Sequence, residues 1–200
     1  MMMPSLLSQT TRQQAESLPK KGEIAVKTLL QNHSEEVLGT MLLLVSIPGL
    51  LPSTGIPFGS LFSPAMFLVG LAWFAGRKTV KLPAKINEYN LKTDTARSIL
   101  VKMAKAYEYA EKLCKPRQTQ LTQGLALRII GLAVMVNAFI VFLPIPFGNT
   151  LPAFANIVLA LGVLFRDGLT VLVGHLLTLS SLIIGSILGI MALWAVQKLM

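Results

Sequence analysis

Few side chains in this sequence have the type and spacing to do chemistry. Arg166-Asp167 is the one charged pair inside an otherwise uncharged C-terminal stretch. Charges kept within such a stretch face a cavity or each other, so the pair suits a partly buried ion pair that clamps the two hairpins or touches an anionic ligand. Its plainer role is a surface turn between Phe165 and Leu169, with Gly168 relaxing the backbone. Asn149 lies between Gly148 and Pro152, where a helix is interrupted, and its amide both donates and accepts hydrogen bonds. Asparagine is also a favoured N-cap, so the residue suits capping the helix that follows. Asn137 and Asn156 read as hydrogen-bonding residues between helices. His175 has no second His, Cys, Asp or Glu at metal-ligand spacing and reads as a packing donor rather than a proton relay. The lone Cys114 reads as a small apolar helix residue.

Enzyme signatures are missing. The sequence holds no Gly-rich phosphate loop, GxSxG, HExxH or paired carboxylates of the DxD kind. Glycosyl transfer from a nucleotide sugar needs carboxylates to hold a metal, and none are suitably placed. No catalytic residue, cofactor or metal is therefore expected. What remains is the chemistry of backbone freed at proline–glycine interruptions. The candidate functional residues are Pro57, Gly59 and Pro64 in one interruption, and Pro144, Pro146, Gly148, Asn149 and Pro152 in another. Arg166 and Asp167 complete the set.

These residues sit in elements built for lipid. Only 14% of the 200 residues are charged, against about 25% in ordinary soluble domains. Val37–Gly76, Ile129–Phe165 and Gly168–Gln197 carry no Lys, Arg, Asp or Glu. Each exceeds the roughly 20 apolar residues that span a bilayer. Four regions follow: a polar N-terminal arm (1–36), a first membrane hairpin (37–76), a basic connector (77–128), and a second hairpin with a C-terminal span (129–200). They make one membrane domain overall. The arm has no apolar stretch followed by a cleavage site, so it is not expected to be a secretory signal. The net charge of +9 is local, because residues 77–128 hold twelve basic and four acidic residues. That is the positive-inside pattern and not a nucleic-acid footprint, and it places the connector in the cytoplasm.

Each hairpin is broken in its middle. Proline removes a backbone donor and glycine permits left-handed turns, so the arms should run over 37–51 and 59–76, then 126–143 and 150–165. Ile56-Pro57-Phe58-Gly59 matches Ile145-Pro146-Phe147-Gly148, and a small polar residue, a proline, a glycine and a charged exit follow each. An internal repeat is expected from this. Paired broken segments point to a site between them, because freed carbonyls and amides need protein or water as partners. Arms of about 16–19 residues reach roughly 24–28 Å, so length leaves both re-entrant and spanning hairpins open.

The connector should contain an amphipathic helix over Asp94–Cys114, with Ile99, Leu100, Met103, Tyr107 and Ala110 on its apolar stripe. Thr93 or Asp94 would cap it, and Pro116 would stop it. It would lie on the bilayer surface or pack on the membrane bundle. Gly168–Gln197 reads as one span, with a break near Ser180-Ser181 as the alternative. Trp73 and Trp194 read as interfacial anchors.

Residues Arg128–Leu176 resemble the ExoD family of bacterial exopolysaccharide synthesis proteins. The pieces that carry the likeness are Leu143-Pro144-Ile145-Pro146-Phe147-Gly148-Asn149, Leu151-Pro152-Ala153, Leu161-Gly162 and Arg166-Asp167-Gly168. Residues from Ile47 to Tyr89 are similar more loosely, through a Pro-rich break, Gly76-Arg77 and Leu82-Pro83. Ser53-Thr54-Gly55 and Phe62-Ser63-Pro64-Ala65-Met66 depart from the pattern, being less apolar. The resemblance implies an inner-membrane protein of exopolysaccharide synthesis or export. Its partners would be the bilayer, other assembly proteins or a lipid-linked saccharide. It implies no particular reaction. The expected fold is an all-α multi-pass membrane protein, with two broken helical hairpins, a C-terminal transmembrane helix and an amphipathic cytoplasmic helix. Three functions stand open: an accessory protein of the assembly machinery, a small transporter or lipid-handling protein with a site between facing hairpins, and, last, an enzyme acting on a lipid-linked intermediate.

Overall fold

A computed structural model describes residues 7–19, 21–25, 28, 37–50, 58–77, 90–143 and 148–199. Its helices are α1 (Leu7–Ser17), α2 (Val37–Ser46, continued by a 3-10 turn Ile47–Leu50), α3 (Phe58–Phe74), α4 (Thr93–Leu113), α5 (Gly124–Phe142), α6 (Thr150–Leu164) and α7 (Gly168–Leu199). Two three-residue strands, β1 (Glu23–Ala25) and β2 (Asn90–Lys92), complete the described elements. The chain divides into two compact units, one from residues 1–37 with 80–115 and the other from 38–79 with 116–200.

In the first unit α1 packs on α4. Helix α4 buries Ala96, Leu100, Ala104, Tyr107 and Ala110, a stripe at three- and four-residue spacing. The stripe lies slightly round the cylinder from the expected one, and Ile99 is exposed. Its cover is α1, an element with no hydrophobic stripe of its own, which buries Ser8, Thr11, Gln14 and Ala15. Polar contacts hold the pair instead. The Ser8 amide and hydroxyl donate to Glu111 at 2.9 and 2.6 Å, at the positive end of α1. The Arg97 guanidinium donates to the carbonyls of Ala15, Leu18 and Pro19, at the negative end. Strands β1 and β2 pair antiparallel, Ile24 opposite Leu91. The cap expected at Thr93 or Asp94 does not form. Lys92 holds the N-cap position without a side-chain bond, and the Thr93 hydroxyl donates to the Gly22 carbonyl at 2.9 Å.

The second unit is a helical bundle around Leu38, Leu42, Met66, Val69, Trp73 and Ile130. Trp73 is 2% exposed, which corrects its reading as an interfacial anchor: it belongs to the core. Trp194 is exposed, with the Lys198 ammonium 4.3 Å from its ring centroid. Glycines lie at two close helix contacts. A Cβ on Gly131 of α5 would meet the Phe74 nitrogen at 2.3 Å and the Gly70 oxygen at 2.5 Å on α3. One on Gly162 of α6 would meet the Val171 nitrogen of α7 at 2.9 Å. Small residues let helices approach backbone to backbone, the usual contact where lipid tails remove the hydrophobic drive for association. Helix α7 is continuous over 32 residues and has no break at Ser180-Ser181. Helix α5 and the Gly168–Ile187 part of α7 are long and apolar enough to cross a membrane. Leu172, Leu176, Leu179, Ile183 and Ile187 of α7 are all exposed.

Candidate functional site

The start of α3 shows how a proline is accommodated inside a helix. Pro64 has no amide to offer the Ser60 carbonyl one turn back. The Ser63 hydroxyl takes that place, donating to the Ser60 carbonyl at 2.8 Å. The Ser60 hydroxyl in turn donates to the Val141 carbonyl at 3.1 Å, tying the start of α3 to the end of α5. Pro152 falls in the first turn of α6, where its missing donor costs nothing.

The two interruptions meet. A Cβ on Gly59 would lie 3.1 Å from Val141 Cγ1, 3.2 Å from Asn149 Nδ2 and 3.5 Å from the Gly49 Cα. One on Gly49, in the 3-10 turn after α2, would lie 2.7 Å from the Ala153 Cβ of α6. The end of α2 and the starts of α3 and α6 therefore converge beside the end of α5. Gly59, Gly148, Asn149 and Pro152 are all buried there. Pro57, Pro144 and Pro146 lie outside the described residues, and Pro64 is exposed on α3.

Asn149 holds the N-cap position of α6 but makes no cap hydrogen bond, unlike the capping role its type suggests. It is 4% exposed, and its Oδ1 has no hydrogen-bond partner among the described residues. The same is true of the Ser46 hydroxyl at the end of α2, which is 0% exposed. A buried polar atom without a partner costs about 1–3 kcal/mol, and these two lie at the end of α2 and the start of α6.

Deeper in the bundle the opposite holds. The Asn137 Nδ2 donates to Asn156 Oδ1 at 3.0 Å and to the Thr178 hydroxyl at 2.9 Å. The Ser181 hydroxyl donates to Asn137 Oδ1 at 3.0 Å, and the Asn156 Nδ2 contacts the Met66 sulfur at 3.6 Å. This network joins α3, α5, α6 and α7, as the interhelical reading of the two asparagines requires. His175 is partly buried on α7.

Arg166 and Asp167 stand in different surroundings. Arg166 is exposed with a left-handed φ of 52°, and Asp167 is 0% exposed. The Asp167 carboxylate accepts two bonds from Arg117, Nε to Oδ1 at 2.8 Å and Nη2 to Oδ2 at 3.1 Å. Its Oδ1 also accepts the amides of Leu169 and Thr170, capping α7. Arg117 and Gly168 bond through their backbones, Gly168 N to Arg117 O at 2.8 Å. The residues missed from sequence are thus Arg117, Ser46, Gly49, Thr178 and Ser181. Only Arg117 carried a signal, as a cation next to a helix-stopping proline.

The family described as "Exopolysaccharide synthesis, ExoD" matches residues 7–187. The chain belongs to the ExoD family. Protein ExoD of Rhizobium meliloti is 29% identical over 180 residues, covering 88% of this chain and 75% of that protein. An uncharacterised protein of Synechocystis is 29% identical over 136 residues, covering 68% of this chain and 64% of that protein. No solved structure matches. The ExoD match takes in α1 and α4 as well as the bundle, so both compact units fall inside the family.

Proposed function

We propose that this chain is an integral, multi-pass protein of the bacterial inner membrane that takes part in exopolysaccharide synthesis or export without catalytic residues of its own. The observation that carries the reading is membership of the ExoD family over residues 7–187. The long uncharged runs of the bundle, its exposed apolar α7 and its close glycine contacts support placement in lipid. In this arrangement the two broken hairpins are repeats, and the basic connector and the N-terminal arm share the cytoplasmic side. The protein acts with other assembly proteins or on a lipid-linked saccharide.

Deletion of the gene, followed by analysis of secreted polysaccharide and trapped lipid-linked intermediates, tests the role. Reduced polymer is expected, and an unchanged profile would remove it. Cysteine labelling at positions 12 and 102 tests the topology: both should label from the cytoplasm, and opposite faces would rule out paired hairpins.

A second reading, transport or lipid handling, is favoured by the convergence of both interruptions on the unpartnered Asn149 Oδ1. Purified protein in liposomes should then move a substrate alone, whereas an accessory protein should co-purify with polysaccharide enzymes and move nothing.

A further inference from the structure

Helix α4 has more apolar surface than α1 covers. Ala96, Leu100, Tyr107 and Ala110 of its buried stripe each follow a residue that faces outward. Ile99, Lys102, Ala106, Tyr109 and Leu113 thus make a second stripe at three- and four-residue spacing, about 100° round the cylinder from the first. All five are exposed, Tyr109 to 70% and Leu113 to 75%. Single apolar residues scattered on a surface need no explanation, but four in helical register do.

The free charges beside this stripe have one sign. Helix α4 holds three acids, and each is engaged. Asp94 pairs with Arg97 at 3.7 Å, Glu108 with Arg12 of α1 at 3.4 Å, and Glu111 accepts both bonds from Ser8. Lys102, Lys105 and Lys112 are exposed and have no acidic partner among the described residues. Lys102 lies within the stripe, and helical geometry puts Lys105 and Lys112 on its flank away from α1. The Lys112 ammonium stands 5.4 Å from the Tyr109 ring centroid. Helix α1 therefore covers one stripe and occupies two of the acids, which leaves the outward face apolar and cationic.

That combination matches the surface of an anionic bilayer, where apolar side chains enter the interface and lysines reach up to phosphates. A second copy of the same face would set lysine against lysine. A hydrophilic polyanion would leave Ile99 and Leu113 in water. We infer that α4 docks on the cytoplasmic leaflet through Ile99, Ala106, Tyr109 and Leu113, with Lys102, Lys105 and Lys112 on the headgroups of anionic phospholipids. The inference rests on the proposed placement of the connector beside the inner membrane and adds a partner of stated chemistry.

The test places a nitroxide on Ala106→Cys in the full chain, whose native Cys114 is buried. The protein is reconstituted in nanodiscs of phosphatidylcholine alone, or of an equimolar mixture of phosphatidylcholine and phosphatidylglycerol. In the mixture the probe should meet oxygen more often than a water-soluble nickel chelate. The order should reverse in phosphatidylcholine alone or at high salt. Lys105→Gln with Lys112→Gln should lower the ratio of docked to undocked probe roughly 30-fold, at about five-fold per lysine. Leu113→Ser should lower it roughly 10-fold with Tm unchanged, because the side chain is exposed. Free access of the chelate in the anionic bilayer would overturn the docking, as would indifference to both variants. Equal protection in both bilayers or in detergent would also overturn it and assign the face to a protein partner. A nitroxide on Leu179→Cys, exposed on α7, reports the bundle separately. Chelate access there would overturn the bundle's placement in lipid, whatever the probe on α4 shows.

Discussion

Helices α3 and α6 end in the same turn, made once with glycine and once with arginine. In α3, Gly76 N bonds to Trp73 O and Arg77 N to Ala72 O, with Gly76 at φ 73°. In α6, Arg166 N bonds to Val163 O and Asp167 N to Gly162 O, with Arg166 at φ 52°. Both are the six-to-one and five-to-two pattern that terminates a helix on a left-handed residue. Glycine takes that conformation freely, while a residue with a Cβ pays about 1–2 kcal/mol. The two ends show that the backbone turn does not need Arg166. Its cation sits at a strained position beside the Arg117–Asp167 tie, and strain of this kind points to a role for the side chain.

The comparison can be broken at several points. The largest effect is expected from Arg117→Met, which takes the guanidinium away from the fully buried Asp167 carboxylate. It should lower stability by roughly 2–4 kcal/mol, read by thermal unfolding in detergent. Asp167→Ala should cost less, about 1–2 kcal/mol, because Arg117 is 46% exposed and returns to water while α7 loses its cap. A reversed order would mean that the carboxylate draws little from the guanidinium. Gly76→Ala should cost about 1 kcal/mol for its left-handed backbone, with the Arg128 guanidinium standing 3.5 Å from the new Cβ. Arg166→Gly, the mirror change, should gain about 0.5–1 kcal/mol. If that variant is more stable yet makes less polysaccharide in a complementation assay, the strain serves function. If output is unchanged, Arg166 is only a poor choice of turn residue.

How much of this was legible depends on which signal each element carries. The bundle helices announce themselves through long uncharged runs and Pro/Gly breaks. Helix α6 was expected over 150–165 and observed as Thr150–Leu164, and α5 was expected over 126–143 and observed as Gly124–Phe142. Helix α1 was not legible, because it packs through Ser8, Thr11 and Gln14, and hydrophobic periodicity has nothing to register there. Strands of three residues are too short for an alternating pattern to emerge. Trp73 misled because its place near the end of an apolar run suits an anchor, while tertiary packing around Met66 and Ile130 buries it. At the site, the sequence marked Gly59 and Asn149 through the repeated tetrapeptide. It did not show Ser46, since a serine at a helix end normally bonds its own backbone and so carries no positional cue. Arg117 and Asp167 are fifty positions apart, and nothing local says that they meet.

Helix α7 is longer than a bilayer requires. Its 32 residues rise about 48 Å, against roughly 30 Å of hydrocarbon. Under the proposed placement in lipid, the helix would lean steeply or its last turns, with Trp194 and Lys198, would stand clear of the oily layer. In a protein placed in lipid as proposed, membrane thickness would then become a variable the protein feels, and a thicker bilayer would draw the helix upright and swallow its end.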